Sequence, residues 1–304
     1  MNTKTFLSSR FPNFVKKWKK YYRKFKQVDS WYITSDYCLD DKTKNNDVMT
    51  FTIFPLIPPY VLKKDIKHYL PQDIKKFKNI SETALNYIKE SPYVFSMAFL
   101  IKDKNSIFKL EENKRLLDNA IERMERWPKK KKEEFIHKMK SFRNYLNRKE
   151  IDVKILSDIG VTVHIISAII EFLLIKTNTK HILWISDRDK ITDFQDGIVH
   201  QLIRLGYSNL LKKRVSDHEV YGFIGSKQYD KELFDELIRI PDYICGSLAS
   251  MDFDDTDKVP EKHYNLFDKS IVDNDRICIM HIEHGEPADF LSEVKFTRSQ
   301  QKVP

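Results

Sequence analysis

The stretch "KHILWISDRDKITDF", residues 180–194, decides how the chain must fold around its charged groups. Residues 181–186 are mostly apolar and strand-like, and they lead directly into Asp187, Arg188 and Asp189. A buried strand that ends on two carboxylates is costly unless a ligand or a backbone donor binds them. The stretch therefore predicts a ligand-binding strand end or, alternatively, the N-cap of a following helix.

The composition is that of a globular chain with few of the motifs that bind phosphate or zinc. Of 304 residues, 41% are hydrophobic and 12% are aromatic, which is enough to build a core. The 7 glycines form no GxGxxG or GxxxxGK loop. The 3 cysteines are far apart and form no CxxC pair, so neither a disulfide framework nor a zinc ribbon is indicated. A reducing, cytoplasmic setting is expected.

The net charge of +9 is unevenly distributed. Residues 1–28 contain no acid, whereas residues 252–257 hold four aspartates. A basic excess of this size favours a polyanionic partner, with nucleic acid before membrane, although a lysine-rich soluble protein has the same composition. The longest apolar run, residues 159–175, is shorter than the roughly 20 residues of a membrane span and is interpreted as a buried helix.

Residues 1–29 predict a basic amphipathic helix. Aromatic residues recur at helical spacing between Phe14 and Phe25, with basic residues on the other face. Two interpretations stay open: the aromatic face docks on the body of the protein, or the helix contacts phosphate, a membrane or a protein partner. The basic residues predicted to contact nucleic acid are Lys16, Lys17, Lys19, Lys20 and Arg23, together with Lys129 and Lys130 of a lysine run farther along the chain.

The remaining pattern predicts an α/β protein with a mixed β-sheet flanked by helices. The main domain is expected at residues 30–253, with a helical insertion at about 103–150, and residues 254–304 are expected to form an acidic loop, a terminal strand and a polar tail. Strands are predicted at 30–38, 48–57, 93–102, 181–186, 219–227 and 276–282. Helices are predicted at 62–91, 156–176, 193–205 and 231–253, the last one broken before Pro241.

Three acids fall where this order places them near one another. Asp36 ends the first strand, Asp187 ends the fourth, and Asp242 lies near the predicted start of the last core helix. Phosphodiester hydrolysis by two metal ions needs several carboxylates that converge from different elements. Hard oxygen ligands suit Mg²⁺ or Mn²⁺. Each acid also has a simpler explanation, as a turn residue, an N-cap or a first-turn helix acid.

The segments "YITSDYC", "LWISDRD" and "IPDYICGSLA" resemble motifs of the ribonuclease H-like superfamily, and in particular a large bacterial family of proposed nucleases. The resemblance covers about residues 30–252. In that family the first strand ends in Asp-Glu-Ser, a later strand ends in aspartate, and a late helix carries an ADxxAG-like segment. Tyr37 and Cys38 stand where the family has glutamate and serine, which puts catalysis in doubt.

The resemblance implies a metal-dependent nuclease that acts in bacterial defence. Asp36, Asp187 and Asp242 would be catalytic and would hold the metal, with Asp189 as a further ligand. The superfamily often takes a fourth acid from the first core helix, where Glu171 is preferred to Asp158 because an unpaired carboxylate is expensive in its apolar surroundings. The alternatives are a non-catalytic interaction subunit that docks through residues 14–25, and a small-molecule phosphohydrolase or transferase.

Overall fold

Seven strands of the described chain form one mixed sheet, in the order β5-β4-β1-β2-β3-β6-β7. The structure is a computed structural model, and it describes residues 4–76, 78–103, 109–126, 133–186, 189–211, 219–224, 231–283 and 290–297. The expected α/β class with a mixed sheet is confirmed. The strands are β1 (Ser30–Cys38), β2 (Asp47–Pro55), β3 (Phe95–Lys102), β4 (His181–Ser186), β5 (Glu219–Ile224), β6 (Ile277–Glu283) and β7 (Phe290–Val294).

The strand directions give the sheet two distinct ends. Strands β1, β2 and β3 form an antiparallel meander. Strand β4 runs parallel to β1, β5 runs parallel to β4, and β6 runs parallel to β3. Five strands therefore finish at the same end, which we call the carboxyl end, and begin at the other, which we call the amino end.

Helices cover both faces of this sheet. Helices α2, α7 and α9 pack on one face, and α3, α4, α10 and α11 pack on the other. Helices α5 and α6 form the expected hairpin within the insertion. The helices are α1 (Phe6–Arg10), α2 (Pro12–Tyr22), α3 (Pro59–Tyr69), α4 (Glu82–Glu90), α5 (Leu110–Glu125), α6 (Glu133–Tyr145), α7 (Val153–Lys176), α8 (Lys190–Asp193), α9 (Ile198–Leu211), α10 (Lys231–Ser250) and α11 (Glu261–Leu266).

The apolar helix α7 is 24 residues long, and it has the length and hydropathy of a membrane span. In the fold, 78% of its most apolar window is buried within the protein itself. Its buried residues belong to the same hydrophobic core as those of α2, on one face of the sheet. Its burial is that of a core helix, as the sequence predicts.

Helix α2 docks its aromatic face on the sheet. Phe14, Trp18 and Tyr21 are 0%, 2% and 3% exposed. The Trp18 ring packs against Trp31 of β1 and edge-on against Phe95 of β3, with ring centroids 5.7 and 5.2 Å apart. The aromatic face of α2 therefore docks on the body of the protein, as the first of the two interpretations predicts. These three side chains lie in the core of the same chain and are not exposed to a protein partner.

Helix α10 is continuous across Pro241, contrary to the predicted break. Proline lacks an N–H group, so a helical proline leaves the carbonyl four residues earlier without its donor. Here that carbonyl belongs to Leu237, and the Thr34 hydroxyl of β1 donates to it at 3.3 Å. The sheet therefore replaces the hydrogen bond that the helix loses.

The turn between β1 and β2 closes over the end of α10. The backbone N–H groups of Asn45 and Asn46 both donate to the Ala249 carbonyl, at 2.9 and 3.1 Å. The Asn46 side chain donates to the carbonyls of Leu248 and Met251. These bonds satisfy acceptors that a helix end leaves open, and they fix the carboxyl end of β1 against α10.

Two predicted boundaries differ from the structure. The helical region predicted at 62–91 is two helices, α3 and α4, separated by a short 3₁₀ turn at Ile74–Lys76, and α4 begins at the start signal that Ser81 and Glu82 give in the sequence. The segment 254–304, expected as a loop, strand and tail, contributes β6 and also β7 to the main sheet. The sequence pattern did not indicate β7, because a five-residue strand carries too little alternation.

Candidate acidic site at the carboxyl end of strand β1

Strands β1 and β4 finish side by side. In their parallel pairing, Ser35 is the partner of Ser186. Asp36 follows Ser35 in β1, and Asp187 follows Ser186 in the sequence. Asp187 itself lies outside the described residues, as do Lys129 and Lys130 of the predicted nucleic-acid contacts.

Asp36 faces α10. Successive side chains of a strand point to opposite faces, so Asp36 shares its face with Thr34, which donates to α10. The carboxylate lies against Cys245 of α10, where its hydrogen bond and its charge both raise the pKa of that thiol. Asp36 is half-buried. A turn residue at the end of a hairpin would be exposed.

Asp242 lies in the middle of α10 and not in its first turn, so the explanation of this acid by the helix dipole is wrong. Its carboxylate accepts a hydrogen bond from the Ile74 backbone N–H at 3.1 Å. Cys245 follows one helical turn later on α10. Asp242 therefore faces the same region as Asp36.

Asp36 and Asp242 both lie near the buried thiol of Cys245. Its pKa lies well above the ordinary value, chiefly because burial disfavours the thiolate, and then because of the negative charges of Asp36 and Asp242. Cys38 of β1 is a further neighbour of this thiol. Residues 36 and 242, distant along the chain, therefore act on one and the same sulfur atom.

Two lysines, Lys44 and Lys75, lie near this site, and neither is among the site residues predicted from the sequence. Burial raises the pKa of Cys38 to about 11, while the positive charges of Lys44 and Lys75 oppose the increase. The Lys44 ammonium group donates to the Ser250 hydroxyl at 2.7 Å, which fixes it at the end of α10. Lys44 belongs to the polar turn after β1, and lysines in such turns are too common to signal a site.

Tyr37 faces the opposite side of the sheet from Asp36. Its hydroxyl lies 2.7 Å from the Ser35 hydroxyl and accepts a hydrogen bond from the Ser186 hydroxyl at 3.1 Å. The Trp184 indole N–H donates to Ser35 at 3.0 Å. Burial raises the pKa of Tyr37 far above its usual range. Tyr37 is thus a neutral member of a hydrogen-bonded network and offers no carboxylate at this position.

Asp189 is the N-cap of α8. One carboxylate oxygen accepts the backbone N–H groups of Ile191 and Thr192, at 2.8 and 3.0 Å. The Thr192 hydroxyl in turn accepts the Asp189 N–H, which completes a capping box. For this acid the structure supports the helix-cap interpretation, and its proposed metal role has no support in these contacts.

Glu171 lies at the wrong end of the sheet for the predicted catalytic role. It is buried in α7, and its carboxylate accepts the Phe6 backbone N–H of α1 at 3.1 Å. Asp158, near the start of α7, precedes it by 13 residues, which is about 20 Å along a helix. Lys154 of the same first turns pairs with Asp40, two residues after β1, at 3.0 Å. Asp158 is therefore the acid of α7 that lies towards Asp36.

The described residues fit a divalent metal ion only in part. Asp36 and Asp242 supply hard oxygen donors on one face, as Mg²⁺ or Mn²⁺ requires. Within the described ranges, no three His, Cys, Asp or Glu side chains are grouped to hold a metal ion. A complete ligand set at this site would need Asp187.

The predicted phosphate contacts of α2 lie at the amino end of the sheet. Lys16, Lys19 and Arg23 are exposed there. Lys17 instead donates to the carbonyls of Asn274 and Ile277, at 2.7 and 2.9 Å, so its ammonium group is bound internally. Lys20 pairs with Asp275.

The comparisons with known proteins add no relative. No protein-family model, no curated protein and no solved structure matches the chain.

Proposed function

We propose that the protein is a metal-dependent nuclease with a ribonuclease H-like core, whose acids meet at the carboxyl end of β1. The observation that carries the proposal is the convergence of Asp36 and Asp242 on the Cys245 thiol. The pairing of Ser35 with Ser186 supports it further, because it brings the strand that precedes Asp187 beside the one that holds Asp36. Asp36, Asp187 and Asp242 are the proposed ligands.

The architecture supports the ribonuclease H-like part of the proposal in its order of elements. A hairpin follows the strand of Asp36, a long helix leads into β4, and a late helix carries Asp242. The meander of β1, β2 and β3, with β4 added in parallel beside β1, supplies the neighbouring strand ends that a carboxylate site needs.

The chain's own residues have distinct roles in the proposed reaction. Mg²⁺ or Mn²⁺, when bound, would supply the activation of water and the neutralisation of charge on the phosphate. The strand and the helix hold Asp36 and Asp242 in fixed positions, since the turn at Asn45 and Asn46 binds one element to the other. Lys44 and Lys75 place positive charge beside the acids, where an anionic substrate would approach.

A non-catalytic subunit with the same fold is the second candidate. The orientation of Tyr37 favours it, because this residue offers a buried neutral hydroxyl where the resembled family has a carboxylate. In that case nucleic acid would bind without being cleaved. The resemblance would place either protein in the bacterial cytoplasm, in defence against mobile elements.

Cleavage assays separate the two candidates. Labelled single- and double-stranded DNA and RNA would be incubated with the full chain and Mg²⁺, Mn²⁺ or a chelator. The nuclease proposal expects metal-dependent cleavage that falls by at least about 100-fold in Asp36→Asn and in Asp242→Asn. The matched control is Asp118→Asn, which removes an exposed acid that pairs with Arg143 in the insertion.

Cleavage that persists in both site variants would contradict the assignment of these acids. Binding without cleavage under every metal condition would favour the non-catalytic subunit.

A further inference from the structure

A groove at the amino end of the sheet has a volume of about 890 Å³. Helix α2 forms one wall, and the start of β6 with the end of β7 forms the other. Ile277, Cys278 and Ile279, which are almost fully buried, lie between the walls. We call this recess the α2 groove.

The groove carries an excess of positive charge. Its lining includes six cations, Lys16, Lys17, Lys19, Lys20, Arg23 and Lys295, and three acids, Asp273, Asp275 and Glu293. Two of the acids already have hydrogen-bond or ion-pair partners within the fold. Glu293 accepts the Asn13 backbone N–H at 2.9 Å at the start of α2, and Asp275 pairs with Lys20.

Four of the cations remain available to a ligand. Within the described part of the chain, Lys16, Lys19, Arg23 and Lys295 are exposed and have no ion-pair partner. Lys16, Lys19 and Arg23 follow one another at spacings of three and four residues, so they form a single stripe along α2 and the start of the 3₁₀ turn that follows it. The stripe is about 10 Å long, which exceeds the size of one phosphate group.

The aromatic residues of α2 hold this stripe in place. Phe14, Trp18 and Tyr21 anchor the opposite face of the same helix in the core. Lys17 anchors the helix a second time, through the carbonyls of Asn274 and Ile277. The cations therefore project from a rigid helix, and little conformational entropy of the backbone is lost when a ligand binds.

We infer that the α2 groove binds a single strand of nucleic acid through its phosphates. A positively charged groove that follows the phosphate backbone is a feature of proteins that bind single strands without sequence preference. The inference rests on the proposed function only in the choice of nucleic acid as the polyanion. It adds a second binding site, since Trp31, which packs under α2 against Trp18, and Asp36 at the acidic site are about 17 Å apart along β1.

Fluorescence anisotropy of a labelled single-stranded oligonucleotide, in chelator and at several salt concentrations, tests this inference with the full chain. The triple variant Lys16→Ala, Lys19→Ala, Arg23→Ala should weaken binding by at least about tenfold. It should also lower the slope of log affinity against log salt by about 2, since each phosphate contact on a single strand contributes about 0.7.

The matched control is the triple variant Lys64→Ala, Lys67→Ala, Lys149→Ala, which removes the same charge at exposed positions of α3 and of the segment after α6. Its affinity should stay within about twofold of the wild type, because only the long-range attraction of the removed charges is lost. Melting temperatures of both triple variants check that the fold is kept.

Equal weakening by both triple variants, or no weakening by the groove variant, would overturn the inference. Displacement of the oligonucleotide by polyglutamate at equal charge concentration would assign the groove to an acidic peptide instead. The groove variant is also tested in the cleavage assay. Loss of cleavage with groove binding intact, or the reverse, therefore shows which of the two proposals fails.

Discussion

The two ends of the sheet treat charge in opposite ways. At the carboxyl end, Asp36 and Asp242 lie beside buried thiols, and the fold tolerates the cost of half-buried acids there. At the amino end, α2 buries aromatic rings and keeps Lys16 and Lys19 in solvent. The arrangement of side chains at the amino end thus favours stability, because apolar groups are buried there. The half-buried acids at the carboxyl end reduce stability. This contrast is the reason to look for function among the acids first.

The largest expected effect belongs to the amino end. Replacing Trp18 by alanine should lower the free energy of unfolding by about 3–5 kcal/mol, because the side chain is 2% exposed and contacts Trp31, Phe95 and Phe172. Urea unfolding of the full chain measures the loss, with the exposed Lys24→Ala as control. A loss below about 1 kcal/mol would mean that α2 is not part of the core, and the comparison between the two ends would break.

The next effect concerns how α10 carries Asp242 past a proline. Thr34→Val removes the hydroxyl that donates to the Leu237 carbonyl and should cost about 1–3 kcal/mol, since a buried acceptor then has no partner. In a Pro241→Ala background, the restored N–H at 241 is able to serve this carbonyl within the helix. Thr34→Val should then cost less than it does with Pro241 present. A double-mutant cycle by urea unfolding measures the difference, and simple additivity would contradict the compensation.

The sequence predicts elements best where a pattern is local. Strands β1 and β4 were predicted with the bounds that the structure has, because apolar residues alternate or run together between clear polar boundaries. The aromatic spacing of α2 likewise identified its buried face. Pro241, by contrast, indicated a break that a hydroxyl from another element prevents, and a local pattern contains no sign of Thr34.

For the candidate site too, local patterns were informative and contacts between distant segments were not predicted. Apolar surroundings correctly suggested that Glu171 needs a partner, but that partner is the Phe6 backbone N–H, 165 residues away, at the other end of the sheet. Lys44 and Cys245 became neighbours of the acids only through the packing of α10 on β1. Contacts between distant segments are set by tertiary packing, and one sequence taken alone does not reveal them.

A smaller effect separates the capping role of Asp189 from a catalytic one. Asp189→Ala should destabilise the fold by about 1 kcal/mol through the loss of the N-cap of α8. Asp189→Ser should recover most of this loss, because serine also caps helices. Thermal unfolding measures both variants, with exposed Asp257→Ala as control. If Asp189→Ser were as stable as the wild type but lost metal-dependent cleavage, the carboxylate would belong to the acidic site after all.

The smallest expected effect is the sharpest probe of the carboxyl end, because it reports the local charge directly. The pKa of Cys38 is about 11, so at pH 8 only about one thiol in a thousand is ionised, and alkylation by iodoacetamide should be slow. The rate should rise about tenfold with each pH unit until the pKa is reached. Mass spectrometry of the folded chain measures this rate for Cys38 beside the buried Cys245 and Cys278.

Two variants should change this rate in opposite directions. Asp36→Asn removes a negative charge that raises the pKa of Cys38, so the thiolate fraction and the alkylation rate at pH 8 should increase. Lys44→Ala removes a positive charge that lowers the same pKa, so the rate should decrease. Lys64→Ala, on the exposed side of α3, should leave it unchanged. Equal rates in all three variants would mean that Asp36 and Lys44 do not face Cys38, and the acidic site would lose the geometry on which its proposed chemistry depends.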